Sequence, residues 1–333
     1  GALSAELARH CLRSLAHRGP DGEGLWQQQA VTLGHRRLAI LDTSNAGHQP
    51  MASDDGRYIV TYNGEIYNFL ELRSELEAAG FHFRSKSDTE VLLTAFQHWG
   101  PSCLKRFNGM WAMGIWDTLE QRLFLARDRF GKKPLFYARL AGGAFAFASE
   151  MKALLPLLPN VRPNIALIRD QSRLMSYEST RECLIEGIDR FPAGHMGWIS
   201  PSGVLGLERW WHTLDNLPPT PRDFITASEQ LEELLLDACR IRMRSDVPFG
   251  TALSGGLDSG TVAACVAAAE LAKGHHQAFV MGFPGSFLDE TADARRVALH
   301  LGMPLVELEM DTSQLVGNLD RQFWLFEELY LTS

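Results

Sequence analysis

The stretch VPFGTALSGGLDSGTVAACVAAAELA, Val247 to Ala272, limits the possible folds of this chain more than any other segment. Phe249 to Leu253 is short and mostly apolar, as a buried strand is, SGGLDSG forms a small-residue loop, and the Ala/Val-rich run after it has helical propensity. Glycines lack a Cβ and let backbone N–H groups come close to an anion. The helix that follows aims its unsatisfied N–H groups and positive dipole end at the same point. Strand, loop and helix start together predict an anion site of phosphate size. A tight strand-to-helix turn needing glycine for geometry alone has the same local pattern. The lysine of a G-x-x-x-x-G-K-[ST] loop is absent, which argues against an ordinary P-loop.

The 333 residues are 45% apolar, enough for two globular domains with cores of their own. A formal net charge of -8, with both signs interspersed, leaves no basic stripe for a phosphate backbone, so small metabolites are expected as partners and nucleic acid is not. Cys11, Cys103, Cys183, Cys239 and Cys265 are scattered and odd in number, without C-x-x-C spacing. Neither a disulfide framework nor a zinc site is expected from them, and a reducing, cytoplasmic location is. No apolar run approaches the roughly 20 residues that span a bilayer, so no membrane partner is expected. Gly1 at the start and the aromatic-rich FWLFEELYLTS at the end lead us to expect a fragment at both ends.

Between Val31 and Leu155 the runs RRLAILD, RYIVTYN, MWAMGIWD, RLFLARD, PLFYARL and AFAFASE alternate and are separated by Gly, Asp or Asn turns, which predicts antiparallel hairpins. Two helices interrupt them: Asn68 is placed to cap one ending at Gly80, and Ser87 or Asp88 one ending at Gly100. Gly194 to Trp211 reads as a closing hairpin and Leu214 to Phe224 as a Pro-rich linker, with the boundary between 212 and 226. Helical spacing over Glu229 to Asp246 then precedes strands at Phe249–Leu253, Gln277–Phe283 and Pro304–Leu308. Helices at Thr261–Lys273 and Glu290–Leu301 alternate with them, predicting a parallel α/β sheet.

The hexamer SGGLDS resembles the pyrophosphate loop of the ATP pyrophosphatase (PP-loop) family, whose members cleave ATP between the α and β phosphates. HRGPDGEG, GHRRLAILD, YNGEIYN, SDTEVLL, RDRFGKKPLFY and SEMKAL closely resemble the class II glutamine amidotransferase domain of glutamine-hydrolysing asparagine synthetases, and SGGLDS follows them in the same order. The resemblance implies an α+β and α/β two-domain chain. It places residues 1–212 in an N-terminal Ntn-type αββα sandwich and residues 226–333 in an incomplete parallel α/β PP-loop synthetase domain. It also implies glutamine, aspartate and ATP as ligands and ATP with Mg2+ as cofactors. A homodimer is a candidate assembly, and the sequence does not decide it.

On the same resemblance Arg37 grips the α-carboxylate of glutamine, for which a planar guanidinium fork is suited. Backbone groups of Leu38, Ala39, Ile40 and Leu41 line the pocket. Asn63 and Gly64 form the oxyanion hole, and Glu65 and Asp88 meet the α-ammonium and polar groups. Ser254, Gly255, Gly256, Leu257, Asp258 and Ser259 surround the pyrophosphate, while Leu253 and Met281 border the adenosine. Asp258 is a candidate both for holding Mg2+ and for capping the helix, and Asp289 and Glu290 for capping the next one. HRGPDGEG reads as structural support around the pocket.

The implied reaction adenylates the side-chain carboxylate of aspartate, after which ammonia from glutamine gives asparagine, AMP and pyrophosphate. Class II amidotransferases use an N-terminal cysteine whose own amine serves as base. Residue 1 is glycine and the five cysteines have apolar settings, so no catalytic cysteine is assigned; a strand opening with that cysteine is expected before Gly1. Two alternatives stand beside this expectation. One is an ATP-dependent amide-forming ligase of the β-lactam synthetase type without glutaminase activity, or an amidotransferase for another carboxylate. The other is a non-catalytic binding module.

Overall fold

A computed structural model of the chain describes residues 3–170, 180–200, 203–269, 276–311, 313 and 316–328. Two units are present: Gly1–Leu217 together with Asp320–Ser333, and Pro218–Leu319. The boundary falls inside the Pro-rich stretch.

In chain order the first unit runs α1 (Ala5–Arg13), β1 (Gly22–Gln28), β2 (Val31–Arg37), β3 (Met51–Ala52), β4 (Tyr58–Ile66), α2 (Phe69–Ala78), α3 (Asp88–Trp99), β5 (Gly109–Asp117) and β6 (Arg122–Arg127). It continues with β7 (Phe136–Arg139), β8 (Phe145–Ala148), α4 (Ile165–Arg169), β9 (Ile188–Arg190), β10 (His195–Ile199) and β11 (Leu205–Arg209). A six-stranded antiparallel sheet in the order β11-β10-β6-β5-β4-β3 forms the centre. Its alternation feeds two cores. Val60, Tyr62, Ile66, Trp111, Met113, Ile115 and Phe124 pack under α2 and α3. From the opposite face, Ala112 and Leu125 pack with Leu135, Tyr137 and Phe191, and Ile59 and Trp116 pack with Leu33. That second layer consists of the hairpin β1-β2 and the sheet β8-β7-β9, and α1 packs outside the hairpin. The helix, sheet, sheet, helix layering is the expected αββα sandwich.

Local chemistry explains the helix ends. Ser87 Oγ accepts from the Glu90 N–H at 3.3 Å to start α3, and Gly100 at φ 58° ends it. Asn68 occupies the cap position of α2 without capping it, because its side chain is spent elsewhere: Oδ1 accepts from Asn108 N–H (2.8 Å) and Nδ2 donates to the Arg106 carbonyl (2.9 Å).

One further expectation needs correction. RRLAILD is not a strand: β2 stops at Arg37, whose guanidinium donates to the carbonyls of Leu41, Asp42 and Ser44 and curls residues 38–44 into a loop. At the far end of the expected second domain, α8 (Leu319–Phe326), Glu327 and Glu328 fold with the first unit. The Glu327 carboxylate accepts from the backbone N–H groups of Met151 (2.7 Å) and Lys152 (2.5 Å), buried Glu328 pairs with buried Arg190, and Trp324 packs on His17 at 4.8 Å between ring centroids. Two carboxylates, Glu328 buried and Glu327 partly buried, satisfied by donors of the first unit hold the segment there.

The second unit contains α5 (Phe224–Arg242), β12 (Phe249–Ala252), α6 (Leu257–Ala268), β13 (His276–Gly282), α7 (Thr291–Leu301) and β14 (Leu305–Glu309). The strands form a parallel sheet in the order β12-β13-β14, as expected. Its core joins Leu253, Ala263, Ala278, Val280, Ala294 and Ala298, small side chains that let α6 and α7 lie close on the strands.

Candidate active site

A cavity of about 1160 Å³ lies in the first unit, walled by β2 and β8, floored by β4 and β5 and bordered by α1. Among the described residues β2 forms a ladder only with β1, and β8 only with β7. The cavity thus runs between two strand edges of one layer. Asn63, Gly64 and Glu65 line it at the end of β4, in the part of that strand paired with Met110–Ala112. Asn63 Nδ2 donates to Ser149 Oγ at 3.4 Å. A Cβ on Gly64 would stand 2.3 Å from the Met110 carbonyl oxygen, so β5 approaches here as only glycine allows.

Arg37, Leu38, Ile40 and Leu41 also line the cavity. Ala39 does not, and its N–H donates to Asp21 Oδ2 at 2.8 Å. Asp21 belongs to HRGPDGEG, which therefore braces the pocket loop. The Arg37 guanidinium is not idle. Nη1 donates to Ser44 (2.7 Å), and Nη2 to Leu41 (3.3 Å) and Asp42, which commits three of five N–H donors. A bidentate grip on a carboxylate through Nη2 requires release of at least one loop carbonyl.

The two carboxylates differ. Asp88 is buried at the start of α3, and its Oδ2 accepts from Tyr62 OH and from the Ile66 N–H, both at 2.9 Å. Burial pushes its carboxyl up, against these bonds. Asp88 therefore fastens α3 to β4 and fixes where the strand delivers Asn63 and Glu65. Glu65 is the open carboxylate; burial raises it, the Lys133 ammonium lowers it and Asp88 raises it.

In the second unit the SGGLDSG loop joins the C-terminal end of β12 to α6, the edge at which open α/β sheets take ligands. Gly255 holds φ +83°, and a Cβ there would lie 2.6 Å from the backbone of Asp293 and Ala294. Gly256 is the N-cap of α6 and gives no side-chain cap, so among the described residues the N–H groups of Leu257, Asp258 and Ser259 have no protein acceptor. Ser254 Oγ and Ser259 Oγ are 2.9 Å apart beside them. Amide and hydroxyl donors converging on a helix start suit an anionic phosphate. Asp258 makes no capping bond and is exposed in the first turn, so a capping bond is not its function here. Leu253 is buried in the core and Met281 is 42% exposed at the end of β13, so only Met281 offers a side chain to a neighbour of the loop. Glu290 occupies the N-cap of α7 without a side-chain cap bond, and Asp289 before it satisfies the helix start, its Oδ1 accepting from Thr291 Oγ1 (2.6 Å) and the Thr291 N–H (3.2 Å). Among the described residues no group of three or more His, Cys, Asp or Glu is arranged to hold a metal ion.

Comparison with known proteins bears on both sites. The family model of a glutamine amidotransferase domain matches residues 2–211, and that of asparagine synthase matches residues 230–333. The chain belongs to the glutamine-hydrolysing asparagine synthetase family. It is 31% identical over 328 residues to asparagine synthetase [glutamine-hydrolyzing] 1 of Bacillus subtilis (strain 168), covering 97% of this chain and 50% of the relative. It is 37% identical over 262 residues to asparagine synthetase [glutamine-hydrolyzing] 3 of the same strain, covering 76% and 41%. A third relative, amidase chry2 of Gibberella zeae, is 32% identical over 329 residues, covering 94% and 48%. The chain spans about half the length of these curated relatives.

Membership of this family turns attention to the thiols. Burial raises Cys11, Cys103 and Cys239, and pushes Cys183 up to about 12. Cys11 is the one cysteine that lines the cavity, from α1, and it is shifted away from the reactive thiolate. His35, Gln49, Thr61, Lys133 and Ser149 line the cavity as well and were not singled out by sequence. Gln49 had no local signal, yet its amide bridges the backbone of Tyr62, Oε1 accepting at 2.7 Å and Nε2 donating at 3.2 Å. No helix among the described residues is long and apolar enough to cross a membrane.

Proposed function

We propose that this protein transfers the amide nitrogen of glutamine to a carboxylate activated by ATP, with aspartate as acceptor and asparagine, glutamate, AMP and pyrophosphate as products. One observation carries the proposal: Arg37, Asn63, Gly64 and Glu65, drawn from two strands, line a single cavity. Arg37 and Glu65 supply the opposite charges that recognise an amino-acid zwitterion. The Asn63 amide and the Gly64 N–H are the donors for an oxyanion on the glutamine side chain, each typically worth about 3 kcal/mol of barrier. The nucleophile is a thiolate carried by an extended segment lying between β2 and β8, a place supported by their unpaired edges. It attacks the amide carbon, the C–N bond breaks as the nitrogen takes a proton, and water cleaves the thioester to glutamate.

In the second unit the amides of Leu257 to Ser259 and the hydroxyls of Ser254 and Ser259 would hold the phosphates of ATP, and the exposed Asp258 carboxylate would hold Mg2+. When bound, MgATP supplies the adenylyl group that makes the acceptor oxygen a leaving group. A cytoplasmic location fits these metabolites.

The test compares nitrogen sources in the native protein. Asn63→Ala should lower glutamine-dependent kcat by about 10²- to 10³-fold while leaving ammonia-dependent synthesis within about twofold. Equal loss with both sources would remove Asn63 from the glutaminase step. A second reading changes only the acceptor, and relatives named as amidases favour it. Turnover with a carboxylate other than aspartate would decide for it.

A further inference from the structure

The β6–β7 connection, residues 128–135, is braced far beyond the needs of a turn. Buried Asp128 accepts four backbone N–H bonds: Oδ1 from Phe130 and Lys132, both at 3.0 Å, and Oδ2 from Trp111 (3.1 Å) and Lys133 (3.0 Å). Buried Arg127 donates Nε to the carbonyl of Lys133 (2.7 Å), Nη1 to Phe191 (2.8 Å) and Nη2 to Gly131 (2.7 Å). Two buried charges thus clamp the amide and the carbonyl of one residue, Lys133, whose side chain lines the cavity.

Four Arg or Lys residues border that cavity. Arg18 pairs with Glu150 at 2.9 Å, Arg36 with Glu23 at 2.8 Å, and Arg37 is bonded to its loop carbonyls. The Lys133 ammonium makes no hydrogen bond and no ion pair within 4.0 Å among the described residues. Glu65 is the first anion it senses, and Asp128 is a second; Arg18 opposes it. On the other side Glu65 faces Lys133, Asp88 and Tyr62. Glu65 and Lys133 line the same cavity without pairing within 4.0 Å, which leaves the Glu65 oxygens open for another donor. Burial lowers Lys133 and raises Glu65, and each charge resists the other's shift.

We propose that Lys133 is a positioning residue for glutamine recognition, the counter-ion that keeps the Glu65 carboxylate anionic and free to receive the α-ammonium of the substrate. The inference rests on the glutamine reading of the cavity.

Calorimetric titration of the native protein with glutamine, from about pH 8 down to about pH 4.5, tests it without requiring turnover. Lys133→Met should bind within about twofold of wild type at the alkaline end. Its affinity should then fall on acidification on the order of one pH unit earlier, so that it binds about tenfold more weakly where the wild type still binds. Lys133→Arg should restore the wild-type profile. In a Glu65→Gln background Lys133→Met should have no effect on the profile. An unmoved acid limb in Lys133→Met, or an equal loss of affinity at every pH, overturns the counter-ion role. The clamps on Lys133 are made to its backbone, so loss of folding is not the expected effect. Failure of the unsubstituted protein to bind glutamine would instead overturn the reading of the cavity, and this inference with it.

Discussion

His35 lines the cavity two residues before Arg37, and burial, then the charges of His48 and Arg37, pull its titration down to about 4. Its Nδ1 lies 3.3 Å from Thr61 Oγ1, so a neutral ring is held beside the strand that carries Asn63. The sign follows from linkage. Between an unfolded value near 6.5 and a folded value near 4, the unfolded chain binds the extra proton, so stability is present above about 6.5 and is lost as pH falls toward 4. Wild type should lose about 2 kcal/mol through this site between about pH 7 and pH 4.5, and His35→Gln should lose that much less. All eight tryptophans lie in the first unit, so urea unfolding followed by their fluorescence reads that unit. Equal losses in the two proteins would mean that His35 does not titrate as described. At this scale the sequence made residue types legible and left their commitments hidden. Asn63 and Glu65 stood out because the motif YNGEIYN closes an alternating strand. That Arg37 spends three donors on its own loop, and that Asp88 is occupied by Tyr62 and Ile66, depends on segments distant in sequence. Lys133 lies inside the recognised run RDRFGKKPLFY yet drew no role of its own, because its placement comes from Arg127 and Asp128 acting through tertiary bonds.

The strands β4, β5, β6, β7 and β8 and the hairpin β10-β11 were legible because each alternates and is bounded by turn residues. The hairpin β1-β2 was not expected: HRGPDGEG reads as loop, and the strand begins inside it at Gly22. RRLAILD failed for the opposite reason, since its apolar run satisfies the pattern of a strand while the Arg37 donors draw its carbonyls out of any ladder. The placement of an extended segment between β2 and β8 belongs to this scale. Mass spectrometry of the terminal peptide of the native protein tests it: a mature sequence that opens with cysteine ahead of Gly1 is the expected result. Any other opening residue would contradict a thiol delivered there. Cys11, raised by burial on α1, does not offer a substitute.

Two units with different architectures divide the labour of the molecule. The αββα unit lines an interior cavity with Arg37, Asn63, Glu65 and Lys133 among others, and the parallel unit presents a glycine loop at the C-terminal edge of its strands. On β13 and β14 the side chains of Phe279, Met281 and Leu308 remain exposed, whereas Ala278 and Val280 are buried under the helices. The order of the two units was legible from the motifs. The return of Asp320 to Glu328 to the first unit was not, because it rests on Glu327 and Glu328 finding donors at Met151, Lys152 and Arg190, far away in sequence. The most direct test of the central claim supplies the native protein with amide-nitrogen-labelled glutamine, aspartate and MgATP, and measures labelled asparagine and AMP by mass spectrometry. One labelled asparagine per AMP is the expected result. AMP formed without label in any amide product, or glutamine consumed with no AMP formed, would contradict it.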